Sequence, residues 1–100
     1  MKVQLKVAEV ISAERVEKSE KLLKLKIALE NEERQIIAGI AKSYAPENLI
    51  GKKVIIAANL KSAKLMGLES RGMILTIETE DGKHEILMVD SNIKNGTRVK

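Results

Sequence analysis

Residues 59–73 set an amide (Asn59), two lysines (Lys61, Lys64), an arginine (Arg71), a serine (Ser70), two glycines (Gly67, Gly72) and two methionines (Met66, Met73) close together. This mixture suits the gripping of a phosphate backbone and is poor material for burial. The glycines would let the backbone approach a ligand closely. From residue 52 to residue 71, Lys52, Lys53, Lys61, Lys64 and Arg71 stand against Glu69 alone, so this window carries the whole formal net charge of +4. The remaining residues balance, and the basicity is local, as a polyanion footprint would be.

Few other residues could do chemistry. His84 is the only histidine and there is no cysteine, so a zinc site or a nucleophile–base pair lacks its second member. Glu32 and Glu33, and Glu78, Glu80 and Asp81, fall at hairpin tips without the ligand spacing of a calcium loop. Gly67 and Gly72 are not followed by Lys and Ser or Thr, as a phosphate loop requires. These absences argue against an enzyme and predict no cofactor and no metal. The chain has no Phe or Trp and only Tyr44 among aromatics. Single-strand binders gain about 1–3 kcal/mol per base stacked on an aromatic side chain. A nucleic-acid binder built from this sequence should therefore hold backbone and shape, with one or two bases at most.

The elements that must position these residues read as strands. Val3, Leu5 and Val7 alternate with polar residues before Val10 and Ile11 break phase, which predicts a long first strand bent by a bulge near Ala8 and Glu9. Leu23, Leu25, Ile27 and Leu29 form a second alternating run, and residues 34–38 a short third strand. Pro46 forbids a continuous helix over 40–50, so a helical turn on either side of it and a stop at Gly51 are expected. Residues 53–58 make a buried strand, and residues 71–79 and 83–89 flank a hairpin turn at Asp81-Gly82. The order describes one all-β domain over residues 1–100: a five-stranded Greek-key OB-fold barrel, with a short helical connector between strands 3 and 4 and a C-terminal extension. Periodicity alone leaves other small barrels open. No apolar run reaches the roughly 18 residues of a membrane span, and the N-terminal alternation is unlike a signal peptide, so a cytoplasmic protein without a membrane partner is expected.

Asn59, Leu60, Lys61, Ser62, Ala63, Lys64, Leu65, Met66 and Gly67, followed by Glu69, Ser70, Arg71, Gly72 and Met73, resemble the signature of the tRNA-binding domain family. Members include stand-alone tRNA-binding proteins, the appended domain or β subunit of methionyl-tRNA synthetases, and the endothelial monocyte-activating polypeptide II domain. The agreement extends upstream through residues 21–25 and 33–40 and downstream through 95–99. The resemblance implies non-catalytic, structure-specific tRNA binding by a homodimeric OB-fold, with the methionyl-tRNA synthetase catalytic chain as a candidate partner. It implies phosphate contacts from Arg34, Lys61 and Lys64, base-edge or ribose contacts from Asn59 and Ser70, and packing of Met73 on an exposed base. Ser62 stands where the family's loop usually has proline, Ala8 where glycine is frequent and Lys6 where arginine is common, and Val16, Glu17 and Lys18 lack the usual His-Pro. A similar family of dimeric, secretion-related chaperones shares the barrel but lacks the Asn-Leu-Lys and Ser-x-Gly-Met pattern, which leaves polypeptide binding as the alternative. Ile86, Leu87, Met88, Val89 and Ile93 offer more apolar surface than one strand face can bury, which favours a dimer.

Overall fold

A strand 11 residues long organises the molecule, because each half of it pairs with a different partner. The computed structural model describes residues 2–100, and this strand is β1 (Leu5–Arg15). Its first half pairs antiparallel with β4 (Lys53–Ala57), from Leu5 opposite Ala57 to Glu9 opposite Lys53. Its second half pairs with β2 (Leu23–Ala28), from Glu9 opposite Ala28 to Arg15 opposite Leu23. The register slips between Val10 and Ser12, where the strand leaves one partner for the other. The predicted bulge therefore exists, but at Ile11 rather than at Ala8 and Glu9. Those two residues are held in regular pairing by β4, with Ala8 fully buried and Glu9 within 3.6 Å of the Lys53 amine. The extra residue puts Ile11 outside while Val10 stays in the core, and adds the twist that lets the sheet curl.

β2 continues the sheet to β3 (Glu33–Ala38). Its alternation is the one read from sequence: Leu23, Leu25 and Ile27 are fully buried, and Lys24 and Lys26 face outward. The connector holds one 3-10 turn (Pro46–Asn48), and Gly51 ends it at φ 85°. A region expected to be helical on both sides of Pro46 thus has a hydrogen-bonded turn before it and the 3-10 turn after it. Tyr44 from this connector packs against the core, and its hydroxyl accepts the Ile86 N–H at 2.9 Å. The lone aromatic thereby satisfies its polar end and ties the connector to the C-terminal strands.

After β4 the chain breaks into short pieces: β5 (Ala63–Leu65), β6 (Leu68–Ser70), β7 (Met73–Ile74), β8 (Thr76–Glu78), β9 (His84–Ile86), β10 (Met88–Val89) and β11 (Arg98–Val99). β7 and β10 pair with β4, β11 pairs with β1, and β8 with β9 closes the Asp81-Gly82 hairpin, where Gly82 has φ 83°. The main sheet runs β10-β4-β1-β2-β3, antiparallel throughout. The core fills its concave side with Val10, Leu25, Ile27, Ile36, Leu49, Val54 and Ile56, all fully buried.

The all-β class matches the expectation, whereas five continuous strands closed into a Greek-key barrel are not what the pairing shows. No strand ladder joins β3 to the other end of the sheet. Instead the corner at residues 69–72 is fastened to β3 largely by side chains. The physical reason is that Ser70 occupies the place of a ladder partner. Its hydroxyl accepts the Ile37 N–H at 3.0 Å, so that buried amide is satisfied without a continuous pair of strands.

Candidate nucleic-acid interface

The residues of the 59–73 segment do not form an open loop. Ala63 pairs with Ser70, Lys64 with Glu69 and Leu65 with Leu68, which leaves Met66 and Gly67 as a two-residue turn. Both have positive φ, 51° and 80°, the pattern of a type I′ hairpin. Left-handed backbone costs a residue with a Cβ about 1–2 kcal/mol, so Met66 sits at a strained position. The hairpin escaped the sequence reading because its strands are three residues long and its tip is Met-Gly rather than Asn-Gly. The signal was nonetheless present as Leu65, Met66, Gly67 and Leu68, a glycine-bearing pair between two leucines.

Four side chains fix the base of this hairpin. Asn59 donates from Nδ2 to the Lys2 carbonyl at 2.6 Å, and its Oδ1 accepts the Gln4 N–H at 2.7 Å, mimicking a strand neighbour to the N-terminal segment. Arg34 donates one guanidinium nitrogen to the Ala58 carbonyl and the other to Glu32 Oε1 at 2.8 Å. Gln35 donates from Nε2 to the Glu69 carbonyl at 2.8 Å, and its own carbonyl accepts the Arg71 N–H at 2.8 Å. Ser70 is 2% exposed and donates to the Gly72 carbonyl at 3.1 Å while accepting from Ile37.

These contacts give part of the set assigned by resemblance a place in holding the fold together. Ser70 cannot reach a base edge or ribose, because it is buried and its proton is directed to Gly72. Both ends of the Asn59 amide already meet main chain. Arg34 is the strut between β3 and the end of β4, its side chain only 17% exposed and its Nε buried without a hydrogen-bond partner. The three residues position the hairpin. Gln35 belongs with them, although in the sequence it is only a polar residue in a strand.

The free groups are Lys61, Lys64 and Arg71, all exposed and, among the described residues, in no ion pair. Around them Leu60, Met66 and Met73 are 39%, 58% and 42% exposed. The Glu32 carboxyl is held below its ordinary pKa, first by the hydrogen bond from Arg34, with the charges of Arg34, Arg71 and Lys6 adding to it against desolvation. Lys6 and Arg71 thus extend the positive field from the hairpin across to β1. Among the described residues no three His, Asp or Glu side chains are grouped as metal ligands would be.

Ser70→Ala separates a positioning role from a contact role. It leaves the Ile37 N–H without an acceptor in a buried place, and stability should fall by about 1–3 kcal/mol. Thermal unfolding measures this, and nucleic-acid affinity of the folded variant should stay within roughly threefold, since no ligand contact is removed. A tenfold loss of affinity at unchanged stability would return Ser70 to the ligand.

The arrangement is a hairpin braced at its base and carrying exposed cations and thioethers, able to neutralise phosphates and to lie against bases. The chain is similar over nearly its whole length to known proteins. Residues 5–98 match the family described as "Putative tRNA binding domain". The chain is 53% identical over 98 residues to a methionine–tRNA ligase of Caldanaerobacter subterraneus subsp. tengcongensis, covering 98% of this chain and 15% of the ligase. It is 52% identical over 99 residues to that of Methanocaldococcus jannaschii, again covering 99% of this chain and 15% of the ligase. It therefore spans about 15% of the length of these curated relatives. Among solved structures, a MetRS related protein from Pyrococcus horikoshii superimposes with a TM-score of 0.94 at 45% identity, covering 98% of this chain and 90% of that one. The chaperone CsaA from Bacillus anthracis superimposes at 0.86 with 26% identity, covering 98% of this chain and 91% of that one. With nearly its full length matched, this chain belongs to the tRNA-binding domain family.

Proposed function

We propose that this chain is a non-catalytic, structure-specific tRNA-binding module that serves methionyl-tRNA synthetase in trans, as a β subunit or an equivalent homodimeric partner in the cytoplasm. The observation that carries the reading is the pairing of unengaged Lys61 and Lys64 with a hairpin base bolted down by Asn59, Arg34, Gln35 and Ser70. A preorganised hairpin loses little conformational freedom on binding, so its phosphate contacts count nearly in full. The relatives that are methionine–tRNA ligases supply the enzyme the module would assist. The dimer has Ile77 and Met88 behind it, 50% and 41% exposed on strands near the C-terminus.

Titration with folded tRNA over a range of salt concentrations tests the reading. Binding should weaken steeply, with a log–log slope of roughly −0.7 to −0.9 for each phosphate neutralised. A flat response, or no binding at low salt, would end it. The likeness to CsaA favours a second reading, polypeptide binding. Competition separates the two: unfolded peptide should not displace tRNA from a tRNA module.

A further inference from the structure

Only two non-glycine residues among those described have positive φ, Lys18 at 68° and Met66 at 51°, and both line the same cleft. It has a volume of about 730 Å³ and lies between the β5–β6 hairpin and the far end of β1 and β2. Met66 and Leu68 form the hairpin wall; Glu14, Val16, Lys18 and Lys24 form the opposite one. Nothing in the fold asks for methionine at residue 66. A type I′ turn is most stable with Asn or Gly at its first central position, and the Met66 side chain, 58% exposed, adds nothing to the core. Strain kept for an exposed apolar side chain facing a cavity points to contact with a ligand.

The lining says which ligand. The cleft is large enough for one nucleotide and too small for a helix of RNA or protein. Glu14 and Lys24 stand 2.5 Å apart, so the wall offers a hydrogen-bond acceptor beside a donor, as the polar edge of a base requires. With that pair neutralising itself, the remaining charged lining residues, all exposed, are Arg15 and Lys18 against Glu17, a net positive balance that suits a phosphate. A chain without Phe or Trp has only aliphatic and thioether surface to set against a base face, and Met66 and Leu68 provide it.

We propose that this cleft receives one unstacked nucleotide of the bound RNA, its base against Met66 and Leu68 and its edge toward the Glu14–Lys24 pair. The inference rests on the tRNA-binding reading and adds a base subsite to it. Lys61 and Lys64 hold the backbone outside, and Met66 holds the base inside.

Met66→Asn tests it with two readouts of opposite sign. Asparagine tolerates left-handed backbone, so the variant should melt at the same temperature as the parent or higher. Its affinity for folded tRNA should nevertheless fall about five- to twentyfold with the salt slope unchanged, because the lost contact is uncharged. An affinity within twofold of the parent, or a slope that falls by about one, overturns the subsite. In protein labelled at methionine methyl groups, the Met66 resonance should shift when folded tRNA is added and stay in place with a fully paired RNA duplex. A Met66 methyl unmoved by bound tRNA also overturns it. Should folded tRNA fail to bind at all, the tRNA reading falls, and millimolar adenosine 5′-monophosphate then decides the cleft alone: a shifted Met66 methyl upholds it and an unmoved one overturns it.

Discussion

Replacing Lys61 and Lys64 together by alanine should weaken binding of folded tRNA roughly ten- to fiftyfold at about 0.1 M salt and lower the log–log salt slope by about 1.4–1.8. The magnitude follows from counterion release, in which each phosphate neutralised contributes a factor of about sixfold at that ionic strength. Both amines are exposed on a hairpin whose shape does not depend on them, since neither enters an ion pair among the described residues. The melting temperature of the double variant should therefore match the parent within about 2 °C. Filter binding or fluorescence titration at three or more salt concentrations measures both quantities. An unchanged slope would place the phosphates elsewhere, with Lys6 and Arg71 the next residues to examine.

The second large effect is on stability. Gly72→Ala should cost about 2–4 kcal/mol, a loss of roughly 10–20 °C in melting temperature for a domain of this size. Gly72 has φ 115°, and a Cβ there would meet the Ala57 carbonyl oxygen at 2.8 Å, a main-chain atom that cannot swing aside. The residue stands at the corner between β6 and β7, and its own carbonyl accepts the Ser70 proton. Forcing it away from β4 therefore also loosens the clamp on β3. Gly39→Ala is the matching control. A Cβ at Gly39 has no heavy atom within 4 Å, so this variant should change stability by less than about 1 kcal/mol. Equal effects at the two positions would show that the close approach at Gly72 is unimportant.

A common logic joins these variants to Ser70→Ala and Met66→Asn. On the proposed function Lys61 and Lys64 would meet the ligand, whereas Ser70 and Gly72 brace the surface from behind and Met66 sits at a strained tip over a cleft. Affinity and stability should respond separately for Lys61 with Lys64, for Ser70 and for Met66, where one quantity is expected to move and the other to stay.

Features that depend on near neighbours are legible in the order of residues alone. Alternation in Leu23, Leu25 and Ile27 placed β2 and its buried face, Pro46 and Gly51 delimited the connector, and Asp81-Gly82 marked a hairpin. The concentration of charge near residues 52–71 and the family signature were equally plain. Contacts across long stretches of chain become visible only in the folded molecule. Asn59 meets residues 55 and 57 positions away, Ser70 one that is 33 away, and Arg34 one that is 24 away. A polar side chain in a signature reads the same whether it faces a ligand or a distant main-chain amide. The folded chain settles which, because a buried N–H or C=O needs a partner and takes the nearest polar side chain the fold brings to it. Three residues that resemblance assigned to RNA are for that reason engaged with main-chain groups inside the fold. The cleft beside Met66 belongs to the same class, since its two walls come from residues 14–24 and 66–68 and meet only when the sheet has curled.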